Sequence, residues 1–195
     1  MDSRPALLVI DAQDSFNLNP RRDRSSNPDF ETNVATLIDR WRAASLPIFF
    51  ILHTDSDPGF REGDPELRLM PFIDRRADEP LLLKNTRNAF TSTDLQQRLD
   101  ALGIRKVVVT GIQTEQCCET TARVAADLGF EVDFVTDATR TFPIVNDETG
   151  EELGVRDIIH RTEFVLRRRF ARIVTTKALA AEIEQTWALS TTSSS

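Results

Sequence analysis

The chain has only two cysteines, and they are neighbours, Cys117 and Cys118. Adjacent thiols cannot form a disulfide framework, because a bridge between vicinal residues is strained and no second pair exists. A reducing compartment is the expectation. No apolar run approaches the roughly 18 residues that span a bilayer. The N-terminus passes from a short polar lead straight into a strand-like run, without signal-peptide architecture, so a cytoplasmic location with no membrane partner is expected. Positive charge is also scarce, with 24 Lys and Arg against 31 Asp and Glu and a net charge of −7. The longest basic stretch, Arg167-Arg168-Arg169, reads as a solvated helix end, and no nucleic-acid surface is expected. Histidine is nearly absent as well. Of the two, His160 falls in a predicted helix, so no serine–histidine constellation competes for the chemistry.

What is present is ordinary for a globular chain: 40% hydrophobic and 28% charged residues over 195 positions. That length suits one domain, expected over residues 1–189, with the polar end at 190–195 (STTSSS) a disordered tail. Residues 6–11 (ALLVID) form a continuous apolar run ending in an acid, the pattern of a strand buried on both faces. Similar runs recur at 47–54, 81–84, 106–111, 131–138 and 171–176. Helical spacing appears over 30–44, where Val34, Leu37, Ile38 and Trp41 share a face, and again over 94–102, 115–128 and 147–166. The segment 55–80 lacks periodicity and is dense in Pro, Gly, Asp and Arg, which reads as a long loop, functional or mobile. Trp41, Phe142 and Phe164 are candidates for an exposed apolar patch, with core burial the plainer reading of each.

Strands alternating with helices predict a three-layer α/β fold, a parallel sheet with helices on both faces. Ligands in such sheets sit outside the carboxyl ends of the strands. Those ends carry Asp11, then His53 and Asp55, then Lys84, then residues 111–117, then Asp137. An acid, an ammonium and a thiol would converge on one crevice. Each has a plainer reading: Asp11 as a turn cap, Lys84 as a solvated lysine, either cysteine as small core packing. Taken together they suit a cysteine hydrolase. A cysteine in the first turn of a helix has its thiolate favoured by the helix N-terminus, and the free N–H groups there suit an oxyanion. Helical phase does not choose between the thiols. Cys118 aligns with Ala122, Ala125 and Gly129, and Cys117 with Thr121, Val124 and Leu128.

Three longer segments decide more. ALLVIDAQDSF at 6–16, LLLKNTRNAFTSTDLQQRL at 81–99 and VVVTGIQTEQCCETTARVAADLGFEVDFVTDAT at 107–139 resemble the signature blocks of the isochorismatase-like cysteine hydrolases. That family includes nicotinamidases, N-carbamoylsarcosine amidases and ureidoacrylate amidohydrolases. The resemblance implies a six-stranded, Rossmann-like parallel sheet and a catalytic triad of Asp11 as base, Lys84, and Cys117 as nucleophile, leaving Cys118 to packing. It also implies a cis peptide at Ile112–Gln113, with the N–H groups of Gln113 and Cys117 aimed at the oxyanion, and a homodimer or tetramer. The reaction it implies is hydrolysis of a C–N bond in a small amide or carbamoyl compound through a thioester. The alternatives are a vinyl-ether hydrolase of the isochorismatase type, against which the intact Cys117 argues, and a non-hydrolytic ligand-binding or thiol-sensing protein. Metal-binding nicotinamidases carry a histidine cluster after the second strand. Here only His53, with Asp55 and Asp57, stands there, so neither metal nor other cofactor is expected. Gln13, Phe16, His53 and Phe90 are the candidate pocket residues, and Arg61 or Arg68 of the long loop could hold a substrate carboxylate.

Overall fold

A computed structural model describes residues 4–187, so the tail expected at 190–195 lies outside the described residues. The chain order is β1 (Pro5–Ile10), α1 (Phe30–Ala43), β2 (Ile48–His53), β3 (Leu81–Lys84), α2 (Leu95–Ala101), β4 (Lys106–Ile112), α3 (Glu119–Asp127) and β5 (Glu131–Arg140). A two-stranded ribbon, β6 (Ile144–Val145) with β7 (Glu152–Leu153), precedes α4 (Val155–Leu166), β8 (Arg172–Val174) and α5 (Thr176–Trp187). Six strands make one sheet in the order β3-β2-β1-β4-β5-β8. Every neighbouring pair in it is parallel.

Every residue of β1 and β2 is buried, as expected for central strands covered on both sides. Their side chains alternate between two cores. Leu8, Ile10, Phe49, Ile51, Val107 and Val109 pack with Leu95 and Leu99 of α2 and Ala122 and Ala125 of α3. Leu7, Val9, Phe50 and Val108 pack with Val34, Leu37 and Trp41 of α1 and Leu179 and Ile183 of α5. The period of two that sends alternate strand residues to opposite faces thus builds both outer layers. Trp41 and Phe142 are in the core, as read, and Trp41 Nε1 donates to Pro5 O at 3.2 Å. Phe164 is not. It stands 70% exposed on α4.

Three boundaries differ from the sequence pattern. The helix expected from 115 begins as a single π-turn, Thr114–Cys118, and becomes regular only at Glu119. The helix expected from 147 starts eight residues later, at Val155. Asn146 explains the delay: its side-chain oxygen accepts from the N–H groups of Glu148 and Thr149, and its N–H donates to Glu151 O. Local side-chain bonding of this kind favours a turn over a helix. Helix α5, for which no element was expected, is seated by Asp137, whose Oδ1 accepts from both the N–H and the hydroxyl of Thr176 at 2.8 Å.

Gly111 sets how closely β1 and β4 approach at their carboxyl ends. Its φ is +126°, and a Cβ there would lie 1.8 Å from Ile10 O, inside the partner strand's backbone. Only glycine fits. Gly111→Ala should therefore destabilise the fold by at least about 3 kcal/mol, read as a lower denaturation midpoint in urea. A midpoint like that of the unmodified protein would show that β1 and β4 can separate there without cost.

Candidate active site

The carboxyl end of the sheet collects the three expected residues. Asp11 follows β1 directly, its N–H donating to Ile51 O at 2.8 Å. Its φ of +52° is in the left-handed region, which aspartate tolerates better than most side chains. Lys84 is the last residue of β3, where the register pairs it with His53, the last of β2. Cys117 lies in the π-turn that leaves β4. The peptide bond Ile112–Gln113, between β4 and that turn, is cis.

Lys84 joins these elements. Its Nζ lies 2.8 Å from Asp11 Oδ2, 3.2 Å from Cys117 Sγ and 3.2 Å from His53 Nδ1. The ammonium and the carboxylate are both withdrawn from solvent. Apart from the ion pair, neither Asp11 oxygen accepts a hydrogen bond among the described residues, so the carboxylate keeps lone pairs free for a proton. Cys118 is fully buried beside Cys117, within the same core as Ala122 and Ala125.

Above the thiol is a cavity of about 330 Å³ whose lining includes Phe16, His53, Phe60, Arg87, Gln113 and Gln116, with Cys117 in its wall. Phe16 and Phe60 meet edge to face, ring centres 5.3 Å apart, and form an aromatic side. Of the candidate pocket residues, then, Phe16 and His53 line the cavity, whereas Gln13 and Phe90 do not. Gln13 is a strut: its Oε1 accepts from His53 N at 2.7 Å, while its Nε2 donates to His53 O at 3.1 Å and Ser15 Oγ at 2.9 Å. Phe90 points into the core beneath α3 and packs on Phe130, 5.8 Å between ring centres.

The long loop contributes only its first turn to the cavity, Asp55 through Phe60. Arg61 is spent on Ser56 O, and Arg68 on Asp14 Oδ2 at 2.8 Å, so neither of the arginines read as carboxylate ligands lines it. Arg87, three residues beyond Lys84, does. The strand-end rule that found Lys84 would have reached Arg87 had it been carried one turn further into the loop. Its guanidinium lies against His53 Nε2 and 3.7 Å from Asp55 Oδ2. That contact bears on a metal site at His53, Asp55 and Asp57. The Arg87 guanidinium, itself a cation, lies against both the imidazole and the carboxylate, and no group of three His, Cys, Asp or Glu side chains forms a ligand set among the described residues. The residues do not fit a divalent ion.

The electrostatics revise one expectation. Burial first, then the Asp11 charge, push the Cys117 thiol up to about 12, with Lys84 pulling the other way. The helix-terminus effect expected to favour a thiolate is weak here. The N–H of Cys118 is already bonded to Gln113 O and that of Glu119 to carbonyls of the π-turn, and the regular helix starts only at Glu119. Burial pushes the Cys118 thiol well up too. His53 moves down from the usual imidazole value, chiefly by burial and then by the charge of Lys84. At neutral pH the site therefore holds a protonated thiol, a neutral imidazole and one buried ion pair.

Comparison with known proteins gives the family. The family model described as the Isochorismatase domain matches residues 5–176. Nicotinamidase 3 of Arabidopsis thaliana is 37% identical over 161 residues, which cover 75% of this chain and 76% of that protein. Streptothricin hydrolase of Streptomyces noursei is 29% identical over 71% of this chain and 50% of its own length. Among solved structures, an isochorismatase-family protein from Chromobacterium violaceum superposes with a TM-score of 0.88 at 28% identity, covering 95% of this chain and 96% of that one. With a family match across nearly all of the described residues, and the sheet order and site geometry above, the chain belongs to the isochorismatase family of hydrolases.

Proposed function

We propose that this hydrolase is a cysteine amidohydrolase, cleaving the C–N bond of a small amide or carbamoyl compound through a thioester on Cys117. The observation that carries the reading is the single ammonium of Lys84 in contact with both the Asp11 carboxylate and the Cys117 sulfur, with that sulfur in the wall of a cavity. Two relatives support the bond type, one named a nicotinamidase and the other a streptothricin hydrolase.

The chemistry follows from the protonation states. The resting thiol is not ionised, so attack and deprotonation go together: Sγ forms its bond to the carbonyl carbon as Asp11 takes the thiol proton. Lys84 stabilises the charge that crosses from carboxylate to sulfur, and its contacts hold both partners in place. The carbonyl oxygen becomes an oxyanion received by the N–H groups of Gln113 and Cys117. Asp11 then gives its proton to the departing amine, and the C–N bond breaks to leave a thioester. In the second half Asp11 deprotonates water, which attacks the thioester carbon. The acid leaves, and the proton returns to sulfur. Phe16 and Phe60 offer an apolar slot for a flat substrate, and the side-chain amides of Gln113 and Gln116 offer polar contacts beside it.

A screen of small primary amides and carbamoyl compounds for ammonia or amine release tests the reading. Cys117→Ala, Asp11→Asn and Lys84→Met should each lower kcat/KM by about 10³-fold or more, because members of such a unit act together. Asparagine is the suitable replacement at Asp11, since it also tolerates the left-handed backbone. Turnover that survives Cys117→Ala would remove the thioester. Iodoacetamide should label Cys117 at a rate still rising at about pH 10, with Cys118 protected until the protein unfolds. A plateau near neutral pH would instead mean a preformed thiolate and a different order of proton transfer. Dialysis against a chelator should leave the activity unchanged, because Arg87 stands where an ion would bind.

A further inference from the structure

His53 has so far appeared as part of the cavity wall, yet its ring makes a contact that the triad description does not use. Lys84 is buried, and an ammonium has three N–H donors and no lone pair. Three acceptors surround it: Asp11 Oδ2, Cys117 Sγ and His53 Nδ1. Each can take one proton. The contact at Nδ1 is a hydrogen bond only if that nitrogen is unprotonated, which puts the imidazole proton on Nε2. Nε2 lies 3.2 Å from Asp55 Oδ2, an acceptor. Asp55 is itself held, its Oδ1 accepting from Asp57 N at 2.7 Å. The backbone of His53 is clamped on both sides by the Gln13 amide.

We propose that His53 is a positioning residue for the triad: its neutral ring, in the tautomer selected by Asp55, accepts the third proton of Lys84 and so directs the other two at Asp11 and Cys117. The proposal rests on the amidohydrolase reading only for its kinetic consequence. The charged groups facing the ring are Lys84 and Asp11 on one side and Arg87 and Asp55 on the other. Arg87 Nη1 also lies against Nε2 as a donor and by itself would favour the opposite tautomer; unlike the buried Lys84 it is half exposed, so its donors can turn to solvent and to Asp55. Its charge is met by Asp55 and opposes protonation of the ring. Protonating His53 would turn the acceptor into a second buried cation against Lys84. The ammonium would then lose a partner and its orientation, and the site would lose activity on the acid side.

The first test needs no substrate. His160 is the only other histidine and is exposed, so imidazole nitrogen NMR of the isotope-labelled protein, with His160→Asn for assignment, reports on His53 alone. Near neutral pH, Nδ1 should be unprotonated and Nε2 protonated, and the ring should titrate below the ordinary imidazole value. An Nδ1–H tautomer, or titration at or above that value, overturns the proposal. The second test uses an amide found by the ammonia screen. Wild-type kcat/KM should fall in acid with the midpoint that NMR gives for His53. Asparagine keeps an acceptor near the Nδ1 position but does not titrate. His53→Asn should therefore stay within about tenfold of wild type and lose that acid step, whereas His53→Leu should drop about 100-fold, mostly in kcat. An acid step unchanged in His53→Asn, or full activity in His53→Leu, overturns the proposal. If no amide is turned over, the functional reading fails, while the NMR result still decides the role of His53.

Discussion

An ammonium taken out of water costs several kcal/mol unless its donors are matched, and Lys84 is buried at 1% exposure. The carboxyl end of the sheet is arranged around that requirement. β1 delivers a carboxylate, β4 a sulfur and β2 an imidazole nitrogen, while β3 carries the lysine itself. The same ion pair that satisfies the lysine leaves Asp11 with free lone pairs facing a thiol that burial keeps protonated. The groups that satisfy the buried lysine are thus the same ones to which the proposed reaction assigns its chemistry. Removing either member of such a pair leaves an uncompensated buried charge, so the cluster is as much a constraint on folding as on reaction.

Bringing four strand ends to one point depends on how closely the central strands approach. Ile10 pairs with Gly111 in register, and the missing side chain lets β4 run against the carbonyl of Ile10. Asp11 then turns out of β1 through a left-handed conformation as the cis bond turns the chain out of β4. The two turns face each other across the crevice. Gln13 ties the end of β1 to the end of β2 through two hydrogen bonds to the backbone of His53.

Arg87 gives the cavity its individual character. A guanidinium beside His53 and Asp55 supplies positive charge at the cavity mouth from a side chain. The aromatic pair Phe16 and Phe60 and the amides of Gln113 and Gln116 complete a chamber of about 330 Å³, which suits a small molecule. The loop that supplies Phe60 also contains arginines that are tied to Ser56 and Asp14, so they brace the loop instead of facing the ligand.

The sheet is legible in local pattern. Continuous apolar runs can be buried only between two layers, and the ends of those runs point to Asp11, His53 and Lys84. The sequence could not choose between Cys117 and Cys118 from periodicity, because both sit on stripes that a helix can bury; the family resemblance separated them. Nor did it show that Gln13 would be used up on the backbone of His53, that Phe90 would face the α3 side, or that Arg87 rather than Arg61 or Arg68 would reach the cavity. It also gave the thiol the wrong sign of shift. These outcomes depend on which atoms of separate segments meet and on how much water is excluded when they do. Local pattern carries the direction of a strand and the burial of its faces. Hydrogen-bond partners and the cost of ionising a buried group are set only when separate strands close on one another.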